Sequence, residues 1–427
     1  MKRNIGNLAI IASVALTVIV WFIFPPHNDG SDPTFVRRYA GEILGSIVIV
    51  LLSFSLFLST RPRWAEPYFG GLDKMYITHR RTSTVAFLLL FVHLLTVPIS
   101  INDMRIGNYI AIVAFLGIVS IVLVTLAPRI PFLSKFLTGE TYDGWKRLHR
   151  FVGIFFILGF IHSLTVKALD ALIPITWVQM FFILGTASYL YTELFGRFFK
   201  KYVPYHVEAV KHPNPSTTEV TLRPKNAPIQ KQRAGQFLFV HFPQDRILNE
   251  SHPFTISSAP HEDVLRVTIK ASGDFTRYLF SHLKPDMGAI VEGAYGLFDY
   301  KRGGPRQIWI AGGIGVTPFL SFVRDMDGNL AHDVDFYYTV RHPEEAIFVD
   351  EIEAACIKNP RLKVHIRYSA KDGSLTVEHI LKNIVGDVKD YHVYLCGPLP
   401  MTQAFEKKFL ELGLAQNQIH YEEFNFR

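Results

Sequence analysis

The sequence predicts a multi-domain membrane protein. A six-helix transmembrane bundle over residues 1–202 precedes an antiparallel β-barrel over 203–302 and an α/β parallel-sheet domain over 303–427. Three observations carry this. Residues 1–200 hold several apolar runs of near-twenty residues, the length that crosses a bilayer core. Residues 203–302 alternate short apolar runs with Pro, Gly and Asp turns. Residues 305–427 alternate strand-like and helix-like segments, as a parallel sheet with crossover helices does.

The spans are expected near 5–24, 39–58, 77–98, 108–126, 148–167 and 175–196. The chain is 49% hydrophobic and 14% aromatic, rich for a soluble protein, and the excess lies in the first half. Net charge is +7. Nucleic acid is not the expected partner, because the basic residues of the first half sit at helix ends facing one side. The connections 59–76 (Arg61, Arg63, Lys74) and 127–147 (Arg129, Lys135, Lys146, Arg147), the N-terminus and the exit Lys200–Lys201 are basic. By the positive-inside rule both termini and the soluble half are cytoplasmic, in a multi-pass plasma (inner) membrane protein. The opening MKRNIGNLAIIASVALTVIVWFIF mimics a signal peptide but lacks a small-x-small cleavage site, so it reads as a retained first helix. The two cysteines, Cys356 and Cys396, offer no disulfide framework.

In the second half the expected barrel strands are VEAV, TEVTLRP, GQFLFVHF, LRVTIKA and AIVEGAYG. The sheet strands are RQIWIAGG, VDFYYTV, LKVHIRYS and YHVYLCGP, with helices TPFLSFVRDM, EAIFVDEIEAAC and PMTQAFEKKFLELG between and after them.

Five histidines precede residue 200, and four lie on two spans: His79 and His93 on the third, His149 and His162 on the fifth. Both spans run outward, so His79 lies level with His149 and His93 with His162, the two levels roughly 20 Å apart at the helical rise. Two imidazoles at one depth on facing helices suit bis-histidine haem ligation. Two levels imply two haems stacked across the lipid bilayer. One intramembrane histidine is readily a packing residue; a two-by-two arrangement is hard to obtain otherwise, and ionisable groups at this depth are functional by default. Fourteen steps return nearly to one helix face, but the thirteen from His149 to His162 do not. Either the fifth helix is distorted around Gly153 or Gly159, or its haems approach from different sides. Arg80, Arg81, Lys146, Arg147 and Arg150 flank the inner pair, as haem-propionate partners or simple anchors. Arg37 and Arg38 mark the outer end of the second helix, to attract an anionic product or a propionate, or as surface anchors. Phe155 lies midway between its two histidines, either between the haems or in packing.

HPFTISSAP at 252–260 suits a flavin. Phe254 covers the ring face, Thr255 bonds the ring and His252 reaches a phosphate, with Pro253, Ser257 and Ser258 in the same stretch and Lys270 ending the next strand. GDFT (Gly273, Asp274, Phe275, Thr276) opens a helix whose free N–H groups suit a pyrophosphate. AGGIGVTP at 311–318 lets a dinucleotide approach over Gly312, Gly313 and Gly315, with Thr317 and Pro318 entering the helix. Arg341 ends the second strand where an acid would favour NAD, so NADPH is preferred with NADH as the alternative; Arg367 is a second partner for the 2′-phosphate. Cys396, followed by Gly397 and Pro398, ends the strand where the nicotinamide should lie, although a buried structural thiol is the plainer reading.

With RPRW and GGLDKMYITHRR at 61–81, the histidine pairs, HPFTISSAP, GDFT, AGGIGVTP, LCGPLPM and the terminal YEEFNFR in order, the sequence resembles the NADPH oxidase and ferric reductase superfamily in its compact prokaryotic form. The resemblance covers nearly the whole chain. It implies a ferric-reductase domain with two b-type haems held by all four histidines, Phe155 between them, and a ferredoxin–NADP reductase-like module with an FAD barrel and a nucleotide domain. It implies a terminal aromatic over the flavin, Phe424 rather than Phe426. The wider family starts its flavin motif with Arg and carries Tyr; here His252 and Phe254 stand there, and the Tyr hydroxyl contact is lost. The expected activity moves electrons from cytoplasmic NADPH through FAD and two haems to an outer acceptor: dioxygen giving superoxide, a ferric or cupric chelate, or an outer-face redox partner or quinone. No regulatory segment is visible, so constitutive activity is expected.

Overall fold

The computed structural model describes residues 4–99, 102, 104–126, 142–166, 168–196, 201–229, 232–326 and 331–422. The chain divides into two compact units, Lys2–Phe199 and Lys200–Arg427.

The first unit is helical: α1 (Ile5–Ile23), α2 (Phe35–Ser59), the short α3 (Glu66–Phe69), α4 (Leu72–Thr96), α5 (Ile106–Leu126), α6 (Tyr142–His149), α7 (Val152–Thr165) and α8 (Leu172–Leu190), which runs on into a π-helical turn Tyr191–Phe195. α2 is central, packed against α4, α8 and α1, while α5 packs against α7. These helices are apolar around their whole circumference. Leu8, Ile11, Leu88, Leu95, Leu116 and Ile183 stay exposed, as lipid-facing residues do. The few buried polar groups bond one another: Trp21 Nε1 donates to Ser46 Oγ (2.9 Å) and Trp177 Nε1 to Thr17 Oγ1 (2.9 Å).

Six spans were expected; among the described residues, 5 helices are both long and apolar enough to cross a membrane. The difference is α4. Its 25 residues are long enough, but Asp73, Lys74, Arg80 and Arg81 crowd its first turns and lower its hydropathy. The expected fifth span is two helices, α6 and α7, joined end to end.

The second unit opens with six antiparallel strands, β1 (Tyr202–Asn214), β2 (Thr217–Pro224), β3 (Phe237–His241), β4 (His252–Thr255), β5 (Leu265–Lys270) and β6 (Gly288–Tyr295), in the order β4-β3-β6-β1-β2-β5. The sheet curls into a half-barrel rather than the full barrel expected. A single bridge, Ile256 to Val267, ties its ends. Tyr205, Val207, Val220, Leu238, Val240 and Val291 fill its core, and helix α9 (Asp274–His282) follows β5.

Five parallel strands follow: β7 (Arg306–Gly312), β8 (Asp333–Val340), β9 (Leu362–Tyr368), β10 (Tyr391–Cys396) and β11 (Ile419–Tyr421), in the order β11-β10-β7-β8-β9. Helices α10 (Thr317–Asp325), α11 (Val349–Lys358) and α12 (Leu399–Glu411) belong to the crossovers. Both faces are covered, as a parallel sheet requires. Along β7, Trp309 and Ala311 enter one core with Phe319 and Phe336, while Ile308 and Ile310 enter the other with Phe405 and Phe409. The half-barrel and the parallel sheet are fastened by Arg324. Its guanidinium bonds Glu351 (2.7 and 2.9 Å), Glu219 (3.2 Å) and the Ser257 carbonyl (2.9 Å). Burial opposes the Glu351 charge, but this guanidinium outweighs it and holds the carboxyl below its usual range.

Candidate functional site

In the helical unit the four histidines meet in the two pairs that depth predicts. The ring centres of His79 and His149 are 6.2 Å apart and those of His93 and His162 are 6.5 Å apart. Two metal–nitrogen bonds of about 2 Å plus two imidazole half-widths of about 1.1 Å span about 6 Å, the gap that one iron between two rings needs.

The tautomers fit as well. His93 Nδ1 donates to the Gly41 carbonyl (2.9 Å), His162 Nδ1 to the Gly107 carbonyl (3.0 Å) and His79 Nδ1 to the Ser55 carbonyl (2.9 Å), with Ser55 Oγ also in reach (2.8 Å). A carbonyl only accepts, so Nδ1 carries the proton and Nε2 keeps its lone pair free. Such backbone partners orient metal-binding imidazoles and raise their basicity. The two acceptors for α4, Gly41 and Ser55, are themselves fourteen residues apart on α2. Among the described residues no cluster of three or more His, Cys, Asp or Glu could hold a bare metal ion. Paired rings alone suit a group that brings its own equatorial ligands.

His149 is the exception. Among the described residues nothing lies within hydrogen-bond reach of its buried Nδ1. Its ring instead stacks on Trp145, one turn earlier on α6 (5.3 Å, 27°), and Trp145 Nε1 donates to Thr125 Oγ1 (3.0 Å).

The thirteen-residue spacing is resolved by a break at Arg150–Phe151. There the Phe151 and Ile154 N–H groups reach back three residues, to Leu148 and Phe151 (both 3.0 Å), tightening the turn between α6 and α7. Of the alternatives expected, a distortion around Gly153 or Gly159 or haems approaching from different sides, the turn Phe151–Ile154 lies at Gly153 and away from Gly159. Gly153 makes room for the Tyr189 ring, and a side chain at Gly159 would meet open space. Phe155 lays its ring over Gly117 of α5.

The flanking arginines differ in what holds them. Arg150 makes a two-pronged ion pair with Glu193 in the π-helical turn. Arg37 donates to the Thr96 (2.9 Å), Leu95 and Val97 carbonyls that end α4, and Arg38 pairs with Asp32 (2.6 Å). Arg80, Arg81 and Arg147 stay exposed; Arg129 and Lys135 lie outside the described residues.

In the second unit HPFT and GDFT come together. β4 pairs with β3, setting Phe254 opposite Leu238 and His252 opposite Val240. His252 stacks on Phe275 (3.7 Å, 28°) and bonds Glu250 (3.1 Å), and Phe254 lies parallel to Phe275 (6.4 Å). Thr276 Oγ1 accepts from the Ser272 and Gly273 N–H groups (both 2.9 Å) and fixes the start of α9. Asp274 pairs with Arg277 at the surface. Thr255 Oγ1 is buried with no partner among the described residues. An orphaned hydroxyl costs about 1–3 kcal/mol, so it marks a place where a ligand atom belongs, beside aromatic rings that suit a flat ring system. Ser257 and Ser258, expected to touch the flavin, also make bonds within the fold. Ser257 Oγ bonds Thr268 Oγ1 (3.0 Å), Ser258 Oγ accepts from the Arg266 N–H (3.1 Å), and the Ser258 carbonyl accepts from Ser321 Oγ (2.7 Å). Lys270 pairs with Glu345 (3.5 Å).

The parallel sheet reverses its strand order between β7 and β10, and ligands of open α/β sheets sit beyond the strand ends at that point. The loop Gly312–Val316 and the run Cys396–Pro398 meet there. A side chain at Gly315 would strike the Cys396 carbonyl, and one at Gly312 would strike Met401 and Pro398. Gly313 has φ +56, a left-handed value that favours glycine. Thr317 Oγ1 donates to the Ile314 carbonyl (3.1 Å) and Pro318 enters α10. Cys396 is fully buried; burial, then the nearby Glu422, push its thiol well above the usual range, so it remains protonated. Glu422, buried just past β11 near Cys396, is a candidate that sequence reasoning did not single out. Its motif drew attention only to the aromatics beyond it, and Phe424 and Phe426 lie outside the described residues. Arg341 is exposed at the end of β8 beside β9, while Arg367 is spent on the backbone carbonyls of Asp372 and Gly373.

Known families match in the same order: "Ferric reductase like transmembrane component" over residues 44–160, "FAD-binding domain" over 206–297 and "Oxidoreductase NAD-binding domain" over 309–407. Dual oxidase 2 of Sus scrofa is 30% identical over 217 residues, 48% of this chain and 13% of that protein. The carnitine monooxygenase reductase subunit of Escherichia coli is 29% identical over 182 residues, 41% of this chain and 53% of that one. The chain thus spans about half or less of the curated relatives named here. A flavohemoglobin from Malassezia yamatoensis, solved with bound FAD and heme, superposes over 92% of this chain and 98% of its own at 16% identity (TM-score 0.53), a likeness of fold alone.

Proposed function

Because this chain belongs to the NADPH oxidase and ferric reductase superfamily, we propose that it is a transmembrane oxidoreductase taking electrons from cytoplasmic NADPH and delivering them singly across the bilayer. When bound, the nicotinamide supplies a hydride, FAD divides the electron pair and two b-type haems carry the electrons outward. His79 with His149, and His93 with His162, hold the two haems; the 6.2 and 6.5 Å ring spacings are the observation that carries this reading. Phe254, Thr255, His252 and the start of α9 hold the flavin. Gly312, Gly313 and Gly315 admit the dinucleotide, and Cys396 and Glu422 lie where the nicotinamide enters. Arg341, exposed and facing solvent, is the 2′-phosphate partner. The nucleotide, flavin and helical domains follow the boundaries 303–427, 203–302 and 1–202. Phe155 stays a candidate for the space between the haems and Phe424 for the flavin cover.

Dioxygen is the favoured acceptor, two molecules becoming superoxide for each NADPH oxidised to NADP⁺ and a proton. The connections between α1 and α2, α4 and α5, and α7 and α8 are short by the element bounds, which argues against an elaborate outer substrate site and suits dioxygen or a small chelate alike; a dual oxidase among the relatives supports dioxygen. The family name keeps a ferric chelate as the rival. Purified protein supplied with NADPH, FAD and haem should reduce cytochrome c in a superoxide-dismutase-sensitive manner. Turnover with ferric chelate alone would remove the oxidase reading. Equal rates with NADH and NADPH, unchanged in Arg341→Ala, would remove the NADPH preference.

A further inference from the structure

Three of the four paired histidines are oriented twice, by their helix and by an Nδ1–H bond to a backbone carbonyl on a neighbouring helix. Among the described residues, His149 has its helix and the Trp145 stack, and nothing bonds its Nδ1. It is also the last residue of the eight-residue α6, at the break before α7. The next residue adjoins that break. Arg150 grips Glu193 with both prongs of its guanidinium, and Glu193 lies in the π-helical turn that ends α8. A half-exposed ion pair contributes little to stability, but a bidentate one favours a fixed geometry, and this one is one residue from His149.

We propose that His149 is the displaceable ligand of the inner haem, kept in place by the Arg150–Glu193 pair, and that a small neutral π-acceptor ligand enters the inner iron on the His149 side when that pair is broken. This rests on the haem-ligand reading above. The chemistry suits carbon monoxide: it needs an open position on reduced iron and does not depend on a hydrogen-bond donor, and among the described residues no acceptor holds the His149 Nδ1–H in place. The outer site is the built-in control, since both its imidazoles are tethered to carbonyls. Arg150 and Glu193 act as positioning residues through His149.

The test uses the full-length, haem-loaded protein, reduced with dithionite and exposed to carbon monoxide. Wild type should hold two low-spin haems that bind almost none. Glu193→Gln, which keeps shape and removes charge, and Arg150→Ala should each convert about half of the haem, one of two, to a carbon-monoxide adduct. Inner-site haem affinity should weaken about 10–100-fold, the usual cost of losing an outer-shell partner. The exchanged pair, Arg150→Glu with Glu193→Arg, should restore the inert state. The reactive haem must be the one that survives in His162→Ala. If both haems become reactive, the pair is merely structural and the proposal is overturned. If both stay inert in Glu193→Gln and Arg150→Ala, it is overturned as well. If wild type carries no bis-histidine low-spin haem at all, the ligand reading fails first and takes the proposal with it.

Discussion

The helical unit and the strand-built unit make their sites in opposite ways. In the first, the candidate side chains sit on helices, three of the four imidazoles aimed by backbone carbonyls of other helices, so depth and phase define the site. In the second, they sit on the short strand β4 or just past strand ends, and position in the sheet defines it. A helix site therefore fails one ligand at a time, whereas a strand-end site fails when the backbone is pushed apart.

The largest expected effect isolates the helical site. His93→Ala should reduce haem content from two per chain to one and abolish electron delivery to the outer acceptor, while NADPH-dependent reduction of a soluble dye by the flavin persists. Pyridine haemochrome analysis with parallel dye assays checks both, and loss of the two haems together would show that the levels are not independent. Next in size is a strand-end change. Gly315→Ala places a methyl against the Cys396 carbonyl. Overpacking against fixed backbone costs about 1–3 kcal/mol, so the KM for NADPH should rise roughly 5- to 100-fold with the haem spectrum unchanged. The smallest is Thr255→Val. Loss of one flavin hydrogen bond should weaken FAD binding about 2- to 10-fold, yet the FAD-free protein should be no less stable, because the substitution removes an orphaned buried hydroxyl. A drop in the FAD-free melting temperature would mean that Thr255 serves the fold instead.

The same contrast explains what was legible in the sequence. Four histidines on two apolar stretches point to a site, because a two-by-two arrangement is hard to obtain from packing alone. The level pairing of His79 with His149 followed from the helical rise alone. The flavin and nucleotide motifs were legible as loops at strand ends. What stayed hidden depends on partners far away in sequence. Nothing in HPFTISSAP tells that Ser257 and Ser258 are bound by Thr268, Arg266 and Ser321 while Thr255 is left without a partner. Nothing in LHRFVG tells that Arg150 finds Glu193, or that the helix tightens from Leu148 to Ile154. The arginines near the haem levels read as propionate partners because a charge is visible in sequence, but its counter-charge is not. Glu422 was overlooked for the converse reason: an acid at a chain end looks like solvent-facing surface until its burial is known.

The matched fourteen-residue intervals on α2 and α4 have a consequence for how such a protein can change over time. Gly41 and Ser55 on one helix act as the marks of a ruler against which His93 and His79 on the other are read. Deleting one residue between the marks on either helix would slide one end by about 1.5 Å and turn it by about 100° while leaving the other in register. Substitutions can therefore accumulate along both helices, but a single insertion or deletion in one interval is admissible only with its counterpart in the other. The interval length should drift far more slowly than the residues that fill it.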